Sequence, residues 1–178
     1  MKKLKIFKIV LVMLMLASCN NDDDHPINPV DQLPAATQTG ENTFGCLLDG
    51  EVFLPSGGTN PLDCVYQFVD GGYYFALQGN RRNSNNNLVL IGLATRDFQI
   101  FENQLYILSE NISPSVSGVY ALGGMFSYTS AIYTGELRIT KLDEINQIVS
   151  GTFWFDVEDS NGVVHEIREG RFDMQYTQ

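Results

Sequence analysis

Turn signals that interrupt an alternating apolar pattern limit this chain to an all-β fold from residue 42 onward. Asp49-Gly50 separates two short apolar runs, and Asp70-Gly71-Gly72 separates the next two. Asp-Gly pairs between runs of period two are typical of β-hairpins with type I′ turns. No later stretch keeps a helical period. The spacing predicts about ten short strands, joined mostly as a meander, in a single antiparallel β-sandwich or a closed or flattened barrel.

The last hairpin carries enough pattern to predict its register. A three-residue loop over residues 160–162, with Gly162 in the left-handed conformation, pairs Phe155 with Ile167. The period of two breaks further on, so Glu169-Gly170 is predicted to form a bulge or a tight turn. The residues expected in the core from this hairpin are Phe153, Phe155, Val163 and Ile167.

The same register groups four side chains on the opposite face, and these are the candidate ligand-binding residues. Trp154 falls opposite Arg168, and Asp156 falls opposite Glu166. Trp154 could stack on a sugar ring, or it could be covered by a strand or pair with Arg168. The two carboxylates could bind Ca²⁺, act as an acid/base pair, or repel each other in solvent.

The N-terminal segment has the organisation of a lipoprotein export signal. Four lysines precede an apolar run from Ile9 to Leu16, and the run ends at Cys19 after two small residues. The run is too short to cross a bilayer, which favours a cleaved signal peptide over residues 1–18. Leu16-Ala17-Ser18-Cys19 resembles a bacterial lipobox, and this resemblance implies lipidation of Cys19.

Residues 19–41 are expected to be a solvated, disordered tether ahead of an all-β domain over residues 42–178. The stretch Asn20–Asp24 is polar and acidic, and three prolines follow it. This acidic run resembles the surface-export signal of lipoproteins in the Bacteroidota. The predicted location is the outer membrane, lipid-anchored and exposed at the cell surface; the alternative is retention in the periplasm.

The charge balance excludes some partners. Without the four signal lysines the chain keeps seven basic against 21 acidic residues, a net charge of about −14. No basic stripe is present to neutralise phosphates, so nucleic acid is not a predicted partner. The acyl chains on Cys19 would therefore hold the protein at the membrane.

Two further cysteines, Cys46 and Cys64, follow the lipidated one. An oxidising compartment favours a disulfide between them, provided that the strands bring their Cα atoms within about 7 Å. The alternative is two buried free thiols.

Motifs of known enzymes are missing from the sequence. No serine lies in a Gly-x-Ser-x-Gly elbow, and neither cysteine has the surroundings of a catalytic thiol. The segment from Asp156 to Asn161 departs from a calcium loop in its glycine position and lacks the closing glutamate. His165 is expected to face the core or line a cavity. No catalytic residue, metal site or cofactor is predicted.

Segments at both ends of the domain together resemble a known protein family. Asn42–Val52, Ile148–Phe155 and Glu169–Asp173, with a looser match over Gly135–Asp143, resemble a family of uncharacterised small lipoproteins of the Bacteroidota. The resemblance implies a one-domain, all-β lipoprotein of the cell envelope. It implies no activity and transfers no catalytic residue.

Three functions remain open at the level of sequence. The first is a non-enzymatic binding module for a glycan or an envelope protein, which needs an exposed aromatic platform or a bare sheet edge. The second is a lipocalin-like carrier of a small apolar ligand, which needs an empty cavity. The third is a carboxylate-based hydrolase, which needs an open cleft with converging carboxylates.

Overall fold

A computed structural model describes residues 28–58 and 60–178 of the chain. A 3₁₀ turn, Pro29–Gln32, precedes the strands. The strands are β1 Thr43–Leu48, β2 Glu51–Phe53, β3 Leu62–Val69, β4 Gly72–Arg82, β5 Leu88–Arg96, β6 Leu105–Leu108, β7 Ser115–Leu122, β8 Met125–Tyr128, β9 Gly135–Asp143, β10 Ile148–Glu158 and β11 Val164–Gln175. The predicted signal peptide, Cys19 and the start of the tether lie outside the described residues.

The strands form two antiparallel sheets that pack face to face. One sheet has the order β2-β1-β11-β10-β9-β6, and the other has the order β3-β4-β5-β7-β8. The first and last strands pair within the six-stranded sheet, and the two sheets do not join into a closed barrel in the described part of the chain. The all-β prediction is confirmed, and of its two architectures the structure is consistent with the sandwich.

Both Asp-Gly pairs form hairpin turns, as predicted. Asp49 and Gly50 have φ values of 53° and 83°, and Asp70 and Gly71 have 52° and 85°. Positive φ at both central residues is what a type I′ turn requires. The second loop is one residue shorter than predicted, because Gly72 already pairs with Val69.

The register of the β10–β11 hairpin is the predicted one. Phe155 pairs with Ile167 and Asp156 pairs with Glu166. A bulge interrupts the ladder where predicted, and Glu169 there has a φ of 55°. The bulge does not end the strand, so β11 continues through it. The ladder partners continue from Val164 to Gln175.

The core lies between the sheets and confirms three of the four residues predicted from this hairpin. Phe153, Phe155 and Ile167 are buried. The prediction for Val163 is wrong, because its side chain is 51% exposed. Val163 sits at the end of the hairpin, where its carbonyl accepts from the Asp159 N–H just before the loop. This position lies closer to the loop than Val157, the last buried residue of β10.

Residues 28–41 are part of the folded domain, so the prediction of a solvated tether is wrong for this half of the segment. Leu33 is buried, and residues 37–41 bind the carboxylate of Asp173 in β11. The hydroxyl of Thr37 donates at 2.7 Å, and the N–H groups of Thr39 and Gly40 donate at 2.9 and 2.8 Å. The carboxylate of Asp173, distant in the sequence, therefore fixes a segment whose composition is typical of a linker.

The predicted Cys46–Cys64 disulfide is not formed. Both cysteines are free and buried. Cys46 lies in β1 of the six-stranded sheet, whereas Cys64 lies in β3 of the five-stranded sheet. Burial raises the pKa of both thiols above their ordinary value. They are packed as small apolar side chains.

Candidate functional site

The outer face of the six-stranded sheet carries two rows of side chains across its strands. In one row, Ile107 of β6 and Trp154 of β10 flank Glu136 of β9. In the neighbouring row the partners are Leu105, Arg138, Thr152 and Arg171. Alternation along each strand turns these residues away from the core. The rows border a groove of about 510 Å³.

Trp154 is held in place from two sides but stays partly open. Its side chain is 37% exposed. The indole Nε1–H donates to Oε2 of Glu136 at 3.3 Å, and the guanidinium carbon of Arg168 lies 5.5 Å from the ring centroid. A cation over an indole face is attracted by the negative face of the ring. The predicted position of Trp154, away from the core and beside Arg168, is observed.

Arg168 connects the tryptophan to the two paired carboxylates. Its Nη2 lies 2.6 Å from Oδ1 of Asp156 and 3.5 Å from Oε1 of Glu166. Its Nη1 also donates to the carbonyls of Phe155 and Ile167, at 3.1 and 3.0 Å. The guanidinium therefore relieves the repulsion between the carboxylates. All four residues predicted for this surface are brought together.

Three residues of the groove were not singled out as site residues by sequence reasoning. Glu136 and Arg138 come from β9, and Arg171 comes from beyond the bulge. Arg171 binds the carbonyl of Glu169 at 3.2 Å, whereas Arg138 is exposed at the groove. The short β9–β10 connection could have indicated the two β9 residues, because it makes these strands neighbours. Arg138, Arg168 and Arg171 are three of the seven basic residues after residue 18.

His165 lies in a separate cluster that the sequence did not predict. Its Nδ1 lies 2.8 Å from Oδ2 of Asp49, and its Nε2 lies 3.7 Å from Oδ2 of Asp159. Its ring packs against that of Tyr120, with centroids 4.3 Å apart and the planes tilted by 30°. As predicted, the side chain faces the core side of the sheet. The cluster joins the β1–β2 and β10–β11 turns.

The charges of this cluster affect the neighbouring groups. Burial raises the pKa of Tyr120, and the carboxylates of Asp159 and Asp49 raise it further. The N–H of Val163 donates to Asp159 and lowers the pKa of that carboxyl. Asp49 also accepts from the N–H of Glu166 at 2.8 Å. These contacts are those of a structural clamp between two turns.

Across residues 28–58 and 60–178, no group of three His, Cys, Asp or Glu side chains is arranged to hold a metal ion. In the same residues, no helix is long and apolar enough to span a membrane. Comparison with known protein families, curated proteins and solved structures finds no match.

Proposed function

We propose that this protein is a lipid-anchored envelope protein that binds a glycan on the outer face of its six-stranded sheet. The observation that carries the proposal is Trp154, which is partly exposed beside a groove of about 510 Å³ and held by Glu136 and Arg168. We assign it no catalytic residue and no cofactor.

The chemistry of this face suits a sugar better than an apolar ligand. A pyranose ring offers C–H groups on one face and hydroxyls around its edge. Trp154 offers a flat apolar surface that its neighbours already orient, so little side-chain entropy is lost on binding. Arg138 and Glu136 offer a donor and an acceptor at the edge of that surface.

The alternatives need features that differ from this face. A hydrolase would need Asp156 or Glu166 free to transfer a proton, whereas both carboxylates contact Arg168. A lipocalin-like carrier would need an enclosed cavity within a closed barrel, whereas the groove beside Trp154 lies on the outside of a sheet. An envelope protein that docked on the same face would also contact Trp154, so Trp154→Ala would weaken its binding too.

Binding is tested by native affinity electrophoresis of the mature chain carrying Cys19→Ser. Mannan, xylan and pectin are cast into separate gels. We expect at least one polysaccharide to retard the protein, and Trp154→Ala to remove the retardation while leaving the melting temperature unchanged. Phe68→Ala, which removes an exposed aromatic ring from the other sheet, is the matched control. Equal retardation of Trp154→Ala and the parent protein would refute the glycan site.

Lipidation is a separate part of the proposal and rests on the tetrapeptide that ends at Cys19. We expect Cys19→Ala to move the protein from the membrane fraction to the soluble fraction, because no acyl chain can then be attached. Unchanged membrane retention would contradict it.

Surface display rests on the acidic run Asn20–Asp24. Protease added to intact cells should degrade the domain. Survival of the domain until the outer membrane is broken would place it in the periplasm instead.

A further inference from the structure

A second groove lies on the opposite side of the molecule, on the outer face of the five-stranded sheet. Its volume is about 590 Å³. The floor consists of side chains that alternate with the core residues of β5 and β7, among them Leu90, Ala94 and Val119. Phe126 and Tyr128 of the edge strand β8 line one side. Volumes of this size are typical of sites for small molecules.

The floor of this groove is deep because its residues are small. Ala76 pairs with Ala94, and Gly92 pairs with Val119. Leu90, Val119 and Ala121 form a hydrophobic cluster of their own, separate from the core between the sheets. Leu90 and Val119 are only 8% and 7% exposed, so most of the apolar surface that a ligand would cover belongs to Phe126 and Tyr128.

The groove changes from apolar to polar along the strands. On β5 the outward residues run from Leu90 through Ala94 to Arg96. On β7, which is antiparallel to β5, they run from Ala121 through Val119 and Ser117 to Ser115. Both neighbouring strands therefore place their polar outward residues at the same end. This gradient distinguishes the groove from a uniformly apolar patch that a protein partner would cover.

Three buried oxygen atoms at the polar end have no hydrogen-bond partner among the described residues. They are Oδ1 of Asn111 and the hydroxyls of Ser115 and Ser117. Asn111 lines the groove, whereas the two serines are more than nine-tenths buried on the same strand face and do not line it. Buried polar atoms are nearly always paired, because an unpaired one loses the hydrogen bonds that it made to water in the unfolded chain. Of the three, only Oδ1 of Asn111 belongs to a side chain that lines the groove, so it is the acceptor suited to a bound head group.

We propose that this groove binds a small, neutral amphipathic molecule with an apolar body and a hydroxyl or amide head group. The body lies over Leu90 and Val119 beside the rings of Phe126 and Tyr128. The head group donates to Oδ1 of Asn111, which can only accept. Neutrality follows from the lining, where Arg96 and Asp63 carry opposite charges at different strands.

The test uses 4-pentylphenol and its methyl ether, 4-pentylanisole, as probes. The mature chain carrying Cys19→Ser is titrated with each probe and followed by amide NMR shifts. We expect saturable one-to-one binding of the phenol, with the largest shifts in β5 and β7. The anisole, which lacks a donor, should bind at least tenfold more weakly. Asn111→Ala should bring the two affinities together.

Filling variants locate the site. Ala76→Phe places a ring in the groove from an exposed position, and Ala94→Leu narrows the floor in case the first variant fails to fold. Each should weaken phenol binding at least tenfold. Ile145→Phe, at a 93% exposed position in the turn between β9 and β10, is the matched control and should leave it unchanged. The site is overturned if no saturable binding is seen, if the filling variants bind as the parent does, or if the two probes bind equally. It is also overturned if sedimentation shows a dimer that Ala76→Phe dissociates, because a second copy of the chain then covers the groove.

Discussion

Asp173 shows how one side chain can attach a whole segment to the fold. Its carboxylate is buried and accepts from residues 37–41 and from the hydroxyl of Ser150. Burial alone would raise the pKa of this carboxyl, but the hydroxyls of Thr37 and Ser150 and the backbone amides outweigh it and bring the pKa to about 2. The charged form is therefore stabilised by folding.

This pKa predicts a specific loss of stability in acid. Because the folded pKa of about 2 lies below the ordinary value of 3.8, the contribution is fully present above pH 4 and is lost as the pH falls towards 2. Its size is about 2 kcal/mol. We expect Asp173→Asn to lower the free energy of unfolding by about 2–3 kcal/mol at pH 7, and by much less at pH 2. Urea unfolding at both values measures this.

Asp31→Asn is the control for Asp173→Asn, because Asp31 is exposed in the 3₁₀ turn. It should leave the free energy of unfolding nearly unchanged at both pH values. A difference between Asp173→Asn and the parent protein that is the same at pH 7 and pH 2 would contradict the assigned pKa.

At the scale of elements, the two type I′ turns have the same backbone but different surroundings. Asp49 bonds to the imidazole of His165 and to the N–H of Glu166, both at 2.8 Å. In the described part of the chain, the side chain of Asp70 forms no hydrogen bond or ion pair. One turn is therefore docked on β11, whereas the other projects freely.

This contrast yields a matched pair of variants. Asp49→Gly and Asp70→Gly both keep the positive φ that the turn requires. We expect Asp49→Gly to cost about 1–3 kcal/mol, because it leaves the N–H of Glu166 and the imidazole without their acceptor. Asp70→Gly should change the free energy of unfolding by less than about 0.5 kcal/mol. Equal effects of the two variants in thermal denaturation would show that the contacts of Asp49 with β11 contribute nothing to stability.

The β10–β11 ladder places aromatic rings over glycines in the opposite strand. Phe153 pairs with Gly170 across the bulge. A Cβ added at Gly170 would lie 2.5 Å from the Phe153 ring, closer than any carbon contact tolerates. Gly170→Ala should therefore cost about 1–3 kcal/mol by overpacking.

A second substitution checks the cause of that cost. Phe153→Leu in the Gly170→Ala background removes the ring edge and should recover part of the lost stability, measured by urea unfolding. A double variant that is as unstable as the sum of the two single variants would argue against a direct clash.

Local pattern accounts for the parts of the fold that were predicted from sequence. The hairpin turns, the 160–162 loop and the bulge each depend on residues close in the chain, and the surface around Trp154 follows from them. The pairing of β1 with β11 joins opposite ends of the chain, so no local signal specifies it. The clamp at His165 and the binding of residues 37–41 to Asp173 depend on that pairing. The linker-like composition of residues 28–41 concealed their attachment for the same reason.

At the scale of the whole molecule, the sandwich separates its two internal cysteines into different sheets. Cys46 and Cys64 are buried, and burial raises their pKa values. Reactivity of a thiol depends on its thiolate form and on access. We expect neither thiol of the folded mature chain, with Cys19→Ser, to react with Ellman's reagent within minutes at pH 8. Both should react at once in guanidinium chloride without a reductant. No reactive thiol after unfolding would instead indicate a disulfide between Cys46 and Cys64.

The hydrogen bonds between residues 37–41 and Asp173 also decide how a membrane anchor would act on the domain mechanically. Eight residues separate Cys19 from Asn28. At full extension these residues span about 30 Å, less than half the span of a linker that continued to residue 41. A pull on a lipid at Cys19 would enter the fold at the 3₁₀ turn and at Asp173 before it reached β1. Force on such an anchor would therefore act on β11, inside the six-stranded sheet, across the direction of the strand. The domain would stay close to the bilayer, and its rotation relative to the membrane would be restricted.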